Sequence, residues 1–146
     1  MHLLLVGISH RTAPVDIRER LDFQTRGLED ALSALNSRQA ASEAVIVSTC
    51  NRAELYAACE DVAAGRAAIA DFISEYHGLD RSAVLPHIYD VADLEAARHL
   101  FRVAAGLDSL VVGEPQILGQ VKDAHTVASA ARSSGTFLNR LFHSSF

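Results

Sequence analysis

The chain has 146 residues, with 13 Lys and Arg against 18 Asp and Glu, and a formal net charge of −5. Its length fits one domain, or one domain with a short appendage, and is too small for a catalytic domain plus a full dinucleotide-binding domain. At 49% apolar and 21% charged residues the composition excludes wholesale disorder, and the acidic balance argues against a general nucleic-acid binder.

His2–Ile8 is a compact apolar run that reads as a buried strand. The polar stretch Ser9–Pro14 leads into a helix expected over Val15–Leu21. Leu28, Ala31, Leu32 and Leu35 recur at helical spacing, which predicts an amphipathic helix over Gln24–Asn36. Ala44–Val47 reads as a second strand, and Ser48–Arg52 as a polar turn. Ala53–Cys59 reads as a third strand, with Leu55 and Ala57 alternating against Glu54 and Tyr56. Val62–His77 is a predicted helix ending at Gly78. Val84–Tyr89 contains Pro86 and is read as a short edge strand. The order β-α-β-β-α-β is the split βαβ, ferredoxin-like pattern, an antiparallel sheet with helices on one face. A helical extension follows. Asp93 is the expected N-cap of a helix over Leu94–Ala105 closed by Gly106. Leu107–Gly113 is a loop, and Pro115 opens a helix running to about Ala131. Ser133–Gly135 breaks it, and Thr136–Phe146 begins another apolar-periodic segment with no capping residue of its own. There is no internal repeat and no linker before residue 132.

The N-terminus lacks a basic region and a small-residue cleavage site, so it is not a secretory signal. The apolar runs Leu3–Val6 and Val45–Val47 fall far short of the ~20 residues of a membrane span. Two cysteines, Cys50 and Cys59, make no disulfide scaffold, and a reducing cytoplasm is the expected compartment. Cys50 sits in a polar turn, where a neighbouring cation such as Arg52 would favour its thiolate, and Thr49 and Asn51 could hold a developing oxyanion. The alternative is a small residue in a structural turn. Cys59 lies beside Glu60 and Asp61, which raise a thiol pKa, and reads as structural. His99 shares a helical stripe with Glu95 and Arg102, either a solvated face or a general acid or base facing a cleft. The histidine spacing offers no metal-ligand pair, and the glycines match no dinucleotide or phosphate-loop fingerprint. Gln116 and Gln120 lie one turn apart at a helix start, where free N–H groups suit an anion or a polarised carbonyl.

Three stretches are specific together: Val6–Pro14 (VGISHRTAP), Ser48–Glu54 (STCNRAE), and Gly106–Ser109 with Gly113–Lys122 (GEPQILGQVK). In order and spacing the chain closely resembles the N-terminal catalytic domain of glutamyl-tRNA reductase, departing at Ala53, where that family usually has Thr. The resemblance implies that Cys50 attacks the ester of glutamyl-tRNA and forms a glutamyl thioester. NADPH would then reduce it to glutamate-1-semialdehyde, in the first step of tetrapyrrole synthesis. It implies that His99 assists at the ester, that Arg52 clamps the side-chain carboxylate, and that Thr49 and Asn51 line the carbonyl. Ser109, Glu114, Pro115, Gln116 and Gln120 would fall on substrate contacts. It also implies a connecting helix starting within residues 133–146, after a catalytic domain over residues 1–132. NADPH and homodimerisation would depend on regions outside this sequence. Glutamate-1-semialdehyde aminomutase is the partner implied for the aldehyde. These residues alone are then expected to carry thioester formation without reduction, as a monomer. The competing expectation is a non-catalytic ferredoxin-like module that binds tRNA or a protein partner.

Overall fold

The computed structural model describes residues 1–109 and 116–146. Strands β1 (His2–Ser9), β2 (Glu43–Thr49), β3 (Arg52–Cys59) and β4 (Tyr89–Ala92) form one sheet in the order β2-β3-β1-β4, antiparallel throughout. β3 thus splits β1 from β2, as the split βαβ pattern predicts. Helices α2 (Leu28–Ser37) and α3 (Val62–Tyr76) make these crossovers, with the short α1 (Val15–Arg20) ahead of α2.

Side chains alternate along β1 and β3, so the register assigns each to a face. Leu4, Val6 and Ile8 pair with Ala57, Leu55 and Ala53. This face takes the first helix layer: Gly65 of α3 packs against Leu4 and Cys59. Leu5, Gly7 and Ser9 pair with Tyr56, Glu54 and Arg52 on the opposite face. That face is covered too, by α5 (Leu94–Ala104), α6 (Gln116–Ala130) and α7 (Thr136–Ser145). Tyr56 meets Phe142 of α7 edge-on, with ring centroids 5.5 Å apart. The helical extension is therefore a second layer, and every residue of β3 is buried.

Two elements start well away from where the sequence predicts, and one expected cap does not form its bond. The edge strand expected over Val84–Tyr89 is displaced: α4 (Arg81–Val84) and a 3-10 turn (Leu85–His87) precede a strand that begins at Tyr89. Pro86 lies in the first turn of that 3-10 helix, where its fixed φ fits and no N–H is needed. The helix expected from Gln24 starts only at Leu28, because the Asp22 carboxylate accepts the N–H groups of Gln24 and Thr25 and holds them in a turn. Asp93 does occupy the N-cap position of α5 but caps nothing; its carboxylate accepts from the backbone of Leu3 and from His2. At the far end of α5, Gly106 takes the expected left-handed backbone, with φ of 77°.

The start of α7 is capped from a distance. The Glu43 carboxylate accepts the N–H groups of Gly135, Phe137 and Leu138 at 2.6, 3.2 and 2.9 Å. An anion there also suits the positive end of the helix dipole. Beyond the cap, α7 buries Leu138 and Phe142 completely, worth about 1.5–3 kcal/mol each. Glu43→Ala is expected to lower stability by about 1–2 kcal/mol. A denaturant midpoint equal to that of the wild type would show that packing alone holds the helix. Among the described residues, no helix is long and apolar enough to cross a membrane.

Candidate active site around Cys50

β2 and β3 are joined by a two-residue turn, Cys50-Asn51, closed by the Thr49–Arg52 pair. Asn51 N–H donates to Thr49 Oγ1 at 3.1 Å, and His10 N–H donates to the Asn51 carbonyl at 2.8 Å. Just before the turn, Gln24 Nε2 donates to the Ser48 carbonyl at 2.9 Å, and Ser48 Oγ accepts from Phe23 N–H. Neighbouring elements thus pin the hairpin tip, while Cys50 itself is exposed.

Cys50 opens onto a cleft of about 700 Å³. Thr49, Cys50 and Asn51 form one side with Gln120 of α6, and residues of α1 and the following turn form the other. Of the predicted residues, the fold therefore brings Thr49, Cys50, Asn51 and Gln120 together. It adds Arg18, Asp22 and Gln24, which no spacing signal in the sequence links to Cys50. The Arg18 guanidinium reaches the Cys50 carbonyl at 3.4 Å. Burial pushes the Asp22 carboxyl up, but hydrogen bonds from Gln24, Thr25 and Ser48 outweigh it and hold the group below the usual range. His10 lies beside the turn; burial, then the Arg52 charge, lower its imidazole pKa, and its Nδ1 has no hydrogen-bond partner among the described residues.

Arg52 lies elsewhere than expected. Its side chain is 2% exposed and is turned away from the cleft, donating to the Asp108 carboxylate at 3.0 Å, the Asp108 carbonyl at 2.6 Å and Glu54 at 3.3 Å. The cation that reaches the Cys50 turn is Arg18, which donates to the Cys50 carbonyl, whereas Arg52 points away. The reason is that Arg52 follows the turn on β3 and projects to the face that α5 covers, where two carboxylates await it.

His99 also projects from α5 onto that face. Its Nε2 lies 2.5 Å from Glu54 Oε2, so the stripe is not simply solvated. The ring lines not the Cys50 cleft but two other concavities, one of about 250 Å³ with Ser9, Arg11, Thr12, Tyr89, Arg102 and Asp108 and one of about 480 Å³ with Val91, Glu95, Arg98, Phe101 and Arg102. Buried Glu54 and Arg52 link His99 to Asp108. Ser109 is half-buried and Gln116 exposed at the start of α6. Glu114 and Pro115 fall outside the described residues. Cys59 is buried, which pushes its thiol pKa up, with Asp61, Asp93 and Glu60 adding to the effect. Among the described residues, no group of three His, Cys, Asp or Glu is placed to hold a metal ion.

Fold and site together define a split-βαβ domain with a second helical layer and an accessible thiol at a pinned hairpin tip. The family described as "Glutamyl-tRNAGlu reductase, N-terminal domain" matches residues 6–146. The chain belongs to this family. It is 49% identical to the glutamyl-tRNA reductase of Trichlorobacter lovleyi and 50% identical to that of Geobacter sulfurreducens, each over all 146 of its residues and 34% of the relative. It is also similar in structure to the glutamyl-tRNA reductase of Methanopyrus kandleri, with a TM-score of 0.76 and 31% identity over 98% of this chain and 32% of that one. The chain spans about a third of the length of the curated relatives it matches.

Proposed function

We propose that this chain performs the acyl-transfer half of glutamyl-tRNA reduction, with Cys50 as the nucleophile. The observation that carries the reading is the exposed Cys50 thiol on a rigid hairpin tip, open to a cleft, in a chain of this family. In the proposed step Cys50 Sγ attacks the ester carbonyl of glutamyl-tRNA. The C–S bond forms, the C–O bond to the terminal ribose breaks, and the thiol proton ends on the departing ribose oxygen. Thr49, Asn51 and Gln120 line the reacting carbonyl. Arg52 serves as the clamp for the glutamyl side-chain carboxylate by exchanging Asp108 for it, since Asp108 occupies the guanidinium in this structure. Ser109, Glu114, Pro115 and Gln116 complete the contacts to the amino acid, and His99 handles a proton from the neighbouring concavity.

NADPH would supply the hydride that releases the thioester as an aldehyde. The described residues do not fit such a cofactor. Among the described residues no two neighbouring strands are parallel, and the turn after β1, Ser9–Pro14, holds no glycine, so there is no glycine-rich strand-to-helix turn to cradle a pyrophosphate.

The test is to incubate the protein with tRNA carrying labelled glutamate, quench in acid and locate the label by mass spectrometry. Label on Cys50 that neutral hydroxylamine removes is the expected result. Absence of label, or label on another residue, would overturn the reading.

A further inference from the structure

We infer that Glu54 is a positioning residue for His99: it holds the imidazole proton on Nε2 and leaves Nδ1 as the ring's proton acceptor. The inference rests on the proposed acyl transfer only for its catalytic meaning, not for its geometry. Glu54 is 0% exposed, yet its two carboxylate oxygens face four donors. Oε1 accepts from Tyr56 Oη at 3.0 Å; Oε2 accepts from Arg52 Nη1 at 3.3 Å, from His99 Nε2 at 2.5 Å, and from Tyr89 Oη. The guanidinium can only donate. With donors crowded around both oxygens there is no room for a carboxyl proton aimed at the imidazole. The proton between Glu54 and His99 therefore sits on nitrogen, and a neutral ring keeps its lone pair on Nδ1.

The surroundings are arranged for this contact. Gly7 stands opposite Glu54 in the β1–β3 register. A Cβ at Gly7 would lie 2.5 Å from the Ala53 carbonyl oxygen, 2.9 Å from Glu54 Cα and 3.0 Å from Glu54 Cγ, so only glycine lets the carboxylate cross β1 towards α5. Burial alone would push the Glu54 carboxyl up; His99 and Arg52 reverse this and hold it below its usual range, so it stays an acceptor. The Tyr89 ring packs 5.7 Å from the imidazole and limits its rotation. His99 keeps 23% of its side chain exposed, towards the concavity that holds Arg11, Arg102 and Asp108. That exposure leaves Nδ1 open to accept a hydrogen bond from a group entering the concavity.

The test is long-range ¹H–¹⁵N NMR of the imidazole nitrogens, with His99 assigned by difference from His99→Gln and spectra taken at roughly pH 9, above the ordinary imidazole range. The wild type is expected to show one tautomer, protonated at Nε2. Tyr89→Phe removes another Glu54 donor and is expected to leave that tautomer unchanged. Glu54→Asp keeps the charge beside Arg52 but retracts the carboxylate by one methylene. It is expected to show averaged nitrogens, as is Glu54→Gln. With glutamyl-tRNA, Glu54→Asp should slow Cys50 acylation at saturating substrate by tenfold or more, with little change in half-saturating concentration. A wild-type ring protonated at Nδ1 would overturn the inference, even if every Glu54 variant failed to fold. So would a folded Glu54→Asp chain that kept the wild-type tautomer. Because the spectra need no substrate, failure of acylation would count against the acyl-transfer reading and not against this one.

Discussion

Replacing Arg52 by alanine is expected to cost the folded chain about 3–5 kcal/mol, read as a shift in the urea midpoint with an unchanged slope. The size follows from what is left behind. Glu54 and Asp108 are both buried and both lean on this guanidinium. Removing it leaves two uncompensated carboxylates in a region of low dielectric, with only His99, Arg11 and tyrosine hydroxyls to hold them. Arg52→Lys should fall between the two, since a point charge cannot reach both carboxylates with the same fork. The pH dependence has a definite sign. Both carboxyls are held below their ordinary values of 4.5 and 3.8 in the fold. Their contribution is present above those values and is lost as pH falls through the lowered folded ones. Arg52 is one of the groups holding them down, so its removal raises both. The gap between wild type and Arg52→Ala is therefore widest near neutrality and narrows on acidification. A gap that stays constant from pH 7 down to about pH 3, through both ordinary values, would show that the destabilisation comes from lost packing instead.

Changing Cys50 to serine is expected to abolish hydroxylamine-sensitive labelling, with a fall of at least about 10³-fold in its rate. A thiol offers a few per cent thiolate near neutral pH and a polarizable sulfur, whereas an alcohol offers neither. The adduct a serine could form is an oxygen ester, which resists neutral hydroxylamine, so rate and lability report separately. Cys59→Ser supplies the control. Cys59 packs against Gly65 on the α3 side of the sheet, away from the cleft, so labelling at Cys50 should persist. Label acquired by Cys50→Ser at the wild-type rate would remove Cys50 from the reaction.

The sheet was legible because its signals are local. The apolar run of β1, the β-branched run of β2 and the two crossover helices each carry their own periodicity, and the split βαβ order follows from them. The second layer was less so. Glu54 and Tyr56 read as the wet side of β3, since a buried carboxylate and phenol look the same in sequence as exposed ones. They are buried because they satisfy each other and Arg52 on the same strand, and because Tyr89 and His99 arrive from two other places in the chain. The cap on α7 was hidden for the same reason: Glu43 lies 92 residues before the first N–H it binds. At the site, the turn residues Thr49, Cys50 and Asn51 were legible from the motif. Arg18 was not, because its role depends on how α1 folds back over the hairpin. The position of Arg52 was misread because the position of a residue after a turn fixes its strand face, while the partners waiting on that face are set by tertiary structure.

Ser133, just ahead of the α7 start that Glu43 caps, clasps the start of β2 and so bears on self-association. β2 is an outer strand of the sheet, and outer strands template the addition of foreign ones. Here Ala44 N–H donates to the Ser133 carbonyl, the Ala44 carbonyl accepts from Ser133 Oγ, and the Ser48 carbonyl is taken by Gln24. The other outer strand, β4, is only four residues long. Among the described residues the β2 margin is partly occupied and the β4 margin is short, so strand addition at β2 must first dislodge native contacts and at β4 finds few backbone groups to pair.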